Sequence, residues 1–372
     1  MKKNMLSGII SLVIAVSALT GCAQNSVPEI SNSSQPGGAS TGKVSVVCTS
    51  FPQYDWVCQL TKGLDDEFEI TYLQNTGADL HSYQPSAVDI ATIGSSDLFI
   101  YIGGESDSWV EGALKNAVNP DLISISMLDA LGSRVKEEEL KEGMQEDDHD
   151  HDSEDHDHSD KAHDQDSQDH DHDDTAHVQD SEDHHHEKGE VEYDEHVWLS
   201  LRNAEALTEM IADRLETLAP ESAATVKANC DNYVAELKEL DHEYETAIEA
   251  APVKTIIFGD RFPFRYLVDD YNLDYYAAFV GCSAETEASF ETISFLTNKV
   301  DELQVPAILT IENGDQKVAK TILNNTKSKN QQILVMDSIQ SVSQEAINGG
   351  KTYLGAMEEN LKTLKIALGI GS

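Results

Sequence analysis

Short apolar runs alternate with helix-period runs in two separate parts of this 372-residue chain. In the first part, strands are predicted at 44–51, 68–73, 97–102 and 122–127, and helices at 53–64, 85–94 and 107–118. Two successive strands that are joined by a helix usually lie parallel in the same sheet. This alternation therefore predicts a parallel sheet with helices on its faces.

A second series of the same kind begins near residue 254. Its predicted strands are 255–258, 275–280, 306–311 and 332–336, and its helices are 262–270, 290–303, 316–325 and 353–368. Between the series, a helix at 203–218 stops at Pro220, and Glu221–Ala250 contains no Gly or Pro. A helix of that length is about 45 Å long. The predicted fold class is therefore α/β, with two parallel-sheet lobes joined by a single long, rigid helix. Because open α/β sheets place ligand sites at the carboxyl ends of their strands, the ligand is expected in the cleft between the lobes.

The first 22 residues read as an export signal. Lys2 and Lys3 precede a short apolar run that ends in Leu19-Thr20-Gly21-Cys22. This segment resembles a bacterial lipobox, so Cys22 is the expected lipidation site, with an ordinary cleaved secretory signal as the alternative. The predicted organisation is a signal peptide at 1–22, a tether at 23–43, an N-terminal lobe at 44–220, a linking helix at 221–251 and a C-terminal lobe at 252–372.

The formal charge of the chain is −43, from 25 Lys and Arg against 68 Asp and Glu. Residues 146–190 contribute −18 of this, because they hold 20 acidic residues and 2 Lys. Such acidity excludes a nucleic-acid partner and binding to an anionic membrane surface, since both would be repelled. The lipid on Cys22 is the expected link to the outer face of the cell membrane.

The same acidic stretch holds 11 of the 14 histidines, and part of it repeats every 14 residues. With almost no apolar residues, a loop spanning about 144–192 is expected to be disordered. Imidazole is a common metal ligand, so the tract is predicted to gather zinc weakly at several places; a solvated acidic spacer is the alternative. Its histidines are His149, His151, His156, His158, His163, His170, His172, His177, His184, His185 and His186.

Two histidines outside the tract are candidates for a specific site. His81 and His196 each lie in a loop after strand-like sequence, whereas His242 lies among acidic residues of the long helix and is most simply a surface residue. The loop around His81 reads GADLHSYQPS, and the loop around His196 reads DEHVWLS. Two loop histidines in one lobe can converge at the carboxyl edge of its sheet.

These two loops resemble the metal loops of the zinc/manganese solute-binding lipoproteins of ABC importers (cluster A-I, ZnuA/AdcA-like). The segment CTSFPQYDW at 48–56 is similar to the family's first strand and turn, and DLFIY at 97–101 to its third strand. The resemblance runs from about residue 44 to the end of the chain. It implies two α/β lobes, a rigid linking helix, a metal ion in the cleft and an ABC permease as partner.

The resemblance also implies two further ligands from the C-terminal lobe. The family's usual histidine position appears here as Gly259, and the adjacent Asp260 is either a ligand or the N-cap of the next helix. Asp337, after the last strand, is a second ligand candidate with a cap or turn as its alternative role. Glu312 is the reserve candidate.

Zn²⁺ is the predicted cargo, because the histidine tract and a mixed imidazole and carboxylate site suit it. A manganese-binding lipoprotein of the same type is the nearest alternative. An adhesin or metal-storage lipoprotein and an exported zinc hydrolase belong to other classes. The chain is not expected to be an enzyme, since it contains no HExxH or GxSxG motif. A monomer is expected.

The remaining cysteines are Cys48, Cys58, Cys230 and Cys282, which allow three disulfide pairings. Cys48–Cys58 is the simplest local pair. None of the four lies in a CxxC arrangement, which disfavours a thiolate metal site.

Overall fold

The structure is a computed structural model that describes residues 42–145, 192–283 and 287–371. The predictions for the signal peptide, for Cys22 and for the histidine tract at 146–190 lie outside these residues. The residues from Gly42 onwards belong to one compact unit.

The first sheet contains four parallel strands in the order β2-β1-β3-β4. They are β1 (Val44–Cys48), β2 (Phe68–Tyr72), β3 (Leu98–Tyr101) and β4 (Ile123–Ser126). The associated helices are α1 (Phe51–Leu60), α2 (Ala87–Ser95), α3 (Val110–Lys115) and α4 (Met127–Leu131). The central strands β1 and β3 are mostly apolar, and six of their nine residues are buried, as expected of a sheet that is covered on both faces.

The second sheet repeats this arrangement with the strand order β6-β5-β7-β8, again all parallel. Its strands are β5 (Thr255–Phe262), β6 (Asp274–Val280), β7 (Ala307–Ile311) and β8 (Gln332–Met336). Its helices are α7 (Arg265–Asp270), α8 (Phe290–Leu303), α9 (Lys317–Asn325), α10 (Gln344–Asn348) and α11 (Tyr353–Ala367). The two predicted parallel-sheet lobes are therefore confirmed.

Two long helices lie between the sheets in the chain, α5 (Leu201–Leu218) and α6 (Ala223–Ala250). The 28 residues of α6 give it a length of about 42 Å. It packs against α5 and α1 of the first lobe and against α11 of the second lobe. The predicted linking helix is thus α6. Among the described residues, no helix is both long and apolar enough to cross a membrane.

The lobes share a continuous apolar core. Trp56 of α1 packs edge-on against Tyr353 of α11, with ring centroids 5.2 Å apart. The indole of Trp198 donates to the carbonyl of Ser338 at 2.9 Å, and the hydroxyl of Tyr353 donates to the carbonyl of Trp198 at 2.6 Å. Since a wide opening of the lobes would expose these buried aromatic side chains, the fold favours small movements of loops over a large hinge motion.

The structure extends β5 beyond the predicted end at residue 258. A bulge between Phe258 and Arg261 shifts the register, after which Phe262 pairs with Val280 of β6. The short helices α4 and α10 were not predicted, because five residues are too few to show a helical period.

Candidate metal centre

His81 and His196 are positioned by the same local motif, an aspartate two residues before the histidine. The Oδ1 atom of Asp79 accepts the backbone N–H of His81 at 3.0 Å, and Oδ1 of Asp194 accepts that of His196 at 2.8 Å. These Asx-type turns fix the backbone of each loop. A one-turn 3₁₀ helix lies at each place, Leu80–Ser82 and Val197–Leu199. The sequence therefore determines both turns locally.

The two imidazole rings are in contact, with centroids 5.2 Å apart and planes inclined at 63°. Their Nε2 atoms lie 3.3 Å apart, with His196 fully buried and the His81 side chain 15% exposed. Two nitrogen ligands at 2.0–2.1 Å from a tetrahedral zinc ion are separated by about 3.3 Å. The pair thus matches one edge of a zinc coordination tetrahedron.

The other ring nitrogens are held by protein groups. Nδ1 of His196 lies 3.1 Å from Oδ1 of Asp194, and Nδ1 of His81 lies 2.9 Å from Oγ of Ser106 and 3.6 Å from Oε2 of Glu195. A carboxylate only accepts, so the proton of neutral His196 belongs on Nδ1 and its Nε2 lone pair faces His81. Such partners orient metal-binding histidines in general.

Gln340, from the loop after β8, completes this cluster from the second lobe. Its Oε1 lies 3.0 Å from Nε2 of His196, while its Nε2 donates to Oδ2 of Asp79 at 3.2 Å. Arg261 also donates to that oxygen, at 2.7 Å. Because Asp79 can only accept, it fixes the orientation of the Gln340 amide. In its neutral form, Nε2 of His196 thus faces two other acceptors, Nε2 of His81 and Oε1 of Gln340, an arrangement that a cation stabilises.

Burial and the neighbouring charges shift the pKa values of the two histidines in opposite directions. Burial and the neighbouring His196 lower the pKa of His81 to about 3. Burial opposes the charged form of His196, but Asp194 and Glu195 outweigh this and raise its pKa. Below its raised pKa, His196 is therefore a charged imidazolium with a proton on each ring nitrogen, whereas His81 is neutral and carries a single ring proton. Burial likewise opposes the charge on Asp79, yet Arg261 lowers the pKa of that carboxyl.

Cys282 is the third potential ligand beside the pair. Among the described residues, His81, His196 and Cys282 form the one group of three or more His, Cys, Asp and Glu side chains whose ligand atoms lie within 4.8 Å of one another. Burial and then Glu138 raise the pKa of this thiol. All four cysteines in the described residues are free thiols, so Cys48 and Cys58 are not paired. Sequence spacing did not indicate a thiolate at the site, because the loop after β6 delivers Cys282 from the other lobe.

Asp337 and Glu312 were predicted as ligands, and the structure does not bring them into that group. Oδ1 of Asp337 accepts the backbone N–H of Ile339 at 2.9 Å, and its other oxygen pairs with Lys351. Glu312 accepts from the backbone N–H and the hydroxyl of Ser338, at 2.7 and 2.6 Å. Ile339 has φ of 62°, which is strained for a β-branched residue. Both carboxylates therefore hold the loop that presents Gln340.

Asp260 lies inside β5 and not at the start of a helix, so its N-cap alternative is wrong. Its carboxylate accepts the backbone N–H groups of Arg261 and Ile311, at 2.9 and 3.2 Å, and it is outside the group around the histidines. At Gly259, a Cβ atom would lie 2.6 Å from Cα of Ala319 in α9. No ligand side chain fits at this position. The residue of β5 that contacts Asp79 is Arg261.

Comparison with known proteins gives one consistent result. A family model described as the periplasmic component A of the zinc-uptake complex, ZnuA, matches residues 46–367. The zinc-binding protein AdcA of Streptococcus pyogenes serotype M3 is 28% identical over 327 residues, which are 87% of this chain and 56% of AdcA. The high-affinity zinc uptake system protein ZnuA of Bacillus subtilis is 26% identical over 339 residues, 91% of this chain and 92% of that protein.

Solved structures agree with these relatives. The Zn(II)-bound ZnuA-like domain of Streptococcus pneumoniae AdcA superposes with a TM-score of 0.62 at 25% identity, covering 88% of this chain and 99% of that domain. The chain spans a little over half the length of the AdcA proteins that it matches. The resemblance seen in the two histidine loops is confirmed, and the chain belongs to the ZnuA family of zinc-uptake component A proteins.

Proposed function

We propose that this protein captures Zn²⁺ outside the cytoplasm and delivers it to an ABC permease. In this proposal His81 and His196 bind the ion through their Nε2 atoms, and Oε1 of Gln340 contributes from the second lobe. The observation that carries the proposal is the 3.3 Å separation of the two Nε2 atoms, with each Nδ1 bonded to protein.

The donor atoms favour zinc over manganese. Imidazole nitrogens suit zinc, whereas manganese prefers carboxylate and other oxygen ligands. The carboxylates that a manganese site would use, Asp337 and Glu312, hold the loop of Gln340. The relatives are also named for zinc: two AdcA proteins of Streptococcus pneumoniae are called zinc-binding lipoproteins.

Entry and release of the ion are proposed to occur past His81. His196 is fully buried, while His81 keeps part of its surface in contact with solvent. Because the lobes share a core, movement of the His81 loop is the less costly way to open the site.

The histidine tract is proposed to act as a zinc antenna, and the lipid on Cys22 to anchor the protein to the membrane. The chain on both sides of the tract supports the first point. The backbone N–H of Glu138 donates to the carbonyl of Glu192 at 2.9 Å. The backbone N–H of Asp194 donates to the carbonyl of Lys136 at 3.0 Å. Asp194 and Glu195 then contact the two histidines. The described residues that flank the tract therefore lie beside the metal centre, which would shorten the path of an ion passed from the tract to the histidines.

The test is a competition titration of zinc against a chromophoric chelator. Residues 146–190 are first replaced by a short Gly/Ser linker, which the pairing of the flanking residues can accommodate. We expect this protein to keep one tight zinc per chain. Substitution of His196 by Ala should weaken binding by more than the roughly 10- to 100-fold typical of residues that only support a ligand. If tight binding disappears with the tract, the protein is a storage lipoprotein and the proposal is refuted.

A further inference from the structure

We propose that Cys282 is a third protein ligand of the captured ion and binds it as a thiolate. The inference rests on the proposed function and deepens it, because a centre of two imidazoles and one thiolate selects thiophilic ions such as Zn²⁺ against Mn²⁺. Gln340 then occupies the fourth position of the tetrahedron.

The placement of the three side chains carries the inference. The Sγ atom of Cys282 lies within 4.8 Å of a ring nitrogen of both His81 and His196. In a tetrahedral zinc centre with Zn–S of about 2.3 Å and Zn–N of 2.0–2.1 Å, sulfur and nitrogen are about 3.6 Å apart. The observed separations from a ring nitrogen of each histidine exceed this value by at most about 1.2 Å, a gap that a side-chain rotation or a small shift of the loop can close.

The absence of a side chain at Gly281 allows the loop that carries Cys282 to lie close to the imidazole of His196. A Cβ atom at Gly281 would lie 3.2 Å from Cε1 of His196 and 3.0 Å from the carbonyl oxygen of Phe262. Glycine at 281 thus lets the loop pass directly against the imidazole. The backbone N–H of Cys282 donates to Oε1 of Glu138 at 3.1 Å, which holds the loop in place.

A buried cysteine often serves only as a small apolar side chain. Cys48 and Cys230 fit that role, since both belong to the apolar core cluster. Cys282 is outside the apolar clusters of the described residues, and its thiol faces the Glu138 carboxylate and the histidine pair. These surroundings are those of a ligand.

The chemistry of the step is an exchange of a proton for the metal. The S–H bond of Cys282 breaks, its proton passes to the hydrogen-bonded carboxylate of Glu138 and on to solvent, and the freed sulfur electron pair forms the bond to the metal. The thiolate lowers the net charge of the centre from +2 to +1, zinc remains Zn(II), and no oxidant or reductant takes part.

Cobalt(II) substitution in the full chain tests the inference, since a cobalt–thiolate bond gives a near-ultraviolet charge-transfer band that histidine ligands lack. One equivalent of Co²⁺ should produce this band in the wild type and in the control Cys230→Ser. The variant Cys282→Ser should lose the band and keep the visible ligand-field bands. Wild-type protein with ligand-field bands but no charge-transfer band would overturn the thiolate while leaving zinc capture by the histidines intact.

Alkylation of the unmodified protein provides a second measurement that needs no variant. Cys58 and Cys282 are both partly exposed, so Cys58 is a matched control. We expect one equivalent of Zn²⁺ to slow iodoacetamide labelling of Cys282 at least about tenfold and to leave Cys58 unchanged. Equal labelling of Cys282 with and without zinc would contradict the inference. If zinc binds to neither the wild type nor Cys282→Ser in the ordered site, it is the proposed function that fails.

Discussion

The number of protons released when zinc binds follows from the electrostatics of the site. Two ordinary histidines with pKa values near 6.5 would each be about 90% protonated at pH 5.5, and zinc would displace about 1.8 protons from the pair. Here burial and His196 lower the pKa of His81 to about 3, so it is neutral at pH 5.5. The raised pKa of His196 keeps it almost fully protonated. The pair should therefore release about one proton.

Cys282 adds a second proton in the wild type, because burial and Glu138 keep its thiol protonated. We expect release of about two protons for the wild type and about one for Cys282→Ser at pH 5.5. The sign of the pH effect follows: acid weakens binding, by about tenfold per pH unit for each proton displaced. Above the raised pKa of His196, the affinity of Cys282→Ser should become independent of pH.

Isothermal titration calorimetry at pH 5.5, in two buffers of different ionisation enthalpy, measures this proton count directly. The tract is replaced by the linker, since its histidines would contribute protons of their own. About two protons from Cys282→Ser would show that His81 is protonated at pH 5.5 and would refute the electrostatic reasoning. A count near zero would show that His196 is neutral and would refute it equally.

Two substitutions test how the loops support the site. Gly281→Ala should weaken zinc binding by about tenfold or more, because its Cβ would press on His196. The control is Gly112→Ala, whose new Cβ has no atom within 4 Å. It should leave zinc binding unchanged and stabilise α3 by up to about 1 kcal/mol. Equal zinc affinity in both variants would show that the approach of Gly281 to the imidazole is unimportant. Asp337→Ala should cost about 1–3 kcal/mol in the free energy of unfolding, measured with urea, while zinc affinity stays within about tenfold. A loss of affinity above about 100-fold would establish Asp337 as a ligand.

The parts of the site that sequence predicts are the ones that form locally. In both histidine loops an aspartate two residues earlier shapes the turn, so His81 and His196 are recognisable from a few neighbouring residues. The alternation of strands and helices is also local, and it gives both parallel sheets correctly.

The rest depends on how the lobes dock. Gln340 meets His196 across 144 residues of chain, and Cys282 arrives from the loop after β6. No spacing rule relates such positions. A carboxylate at the end of a strand is equally ambiguous, because Asp337 and Glu312 satisfy backbone N–H groups in the same way that turn and cap residues do. The apolar pattern of β5 ends at residue 258, but a bulge lets the strand continue through Asp260, which the pattern does not predict.

The central claim is that zinc lies between His81 and His196, and anomalous diffraction from crystals of the zinc complex at the zinc absorption edge tests it most directly. The claim predicts one strong peak in the ordered part of the chain, about 2.1 Å from Nε2 of both histidines. A peak at Asp337 and Glu312 instead, or the absence of any peak between the two imidazoles in zinc-loaded crystals, would contradict it.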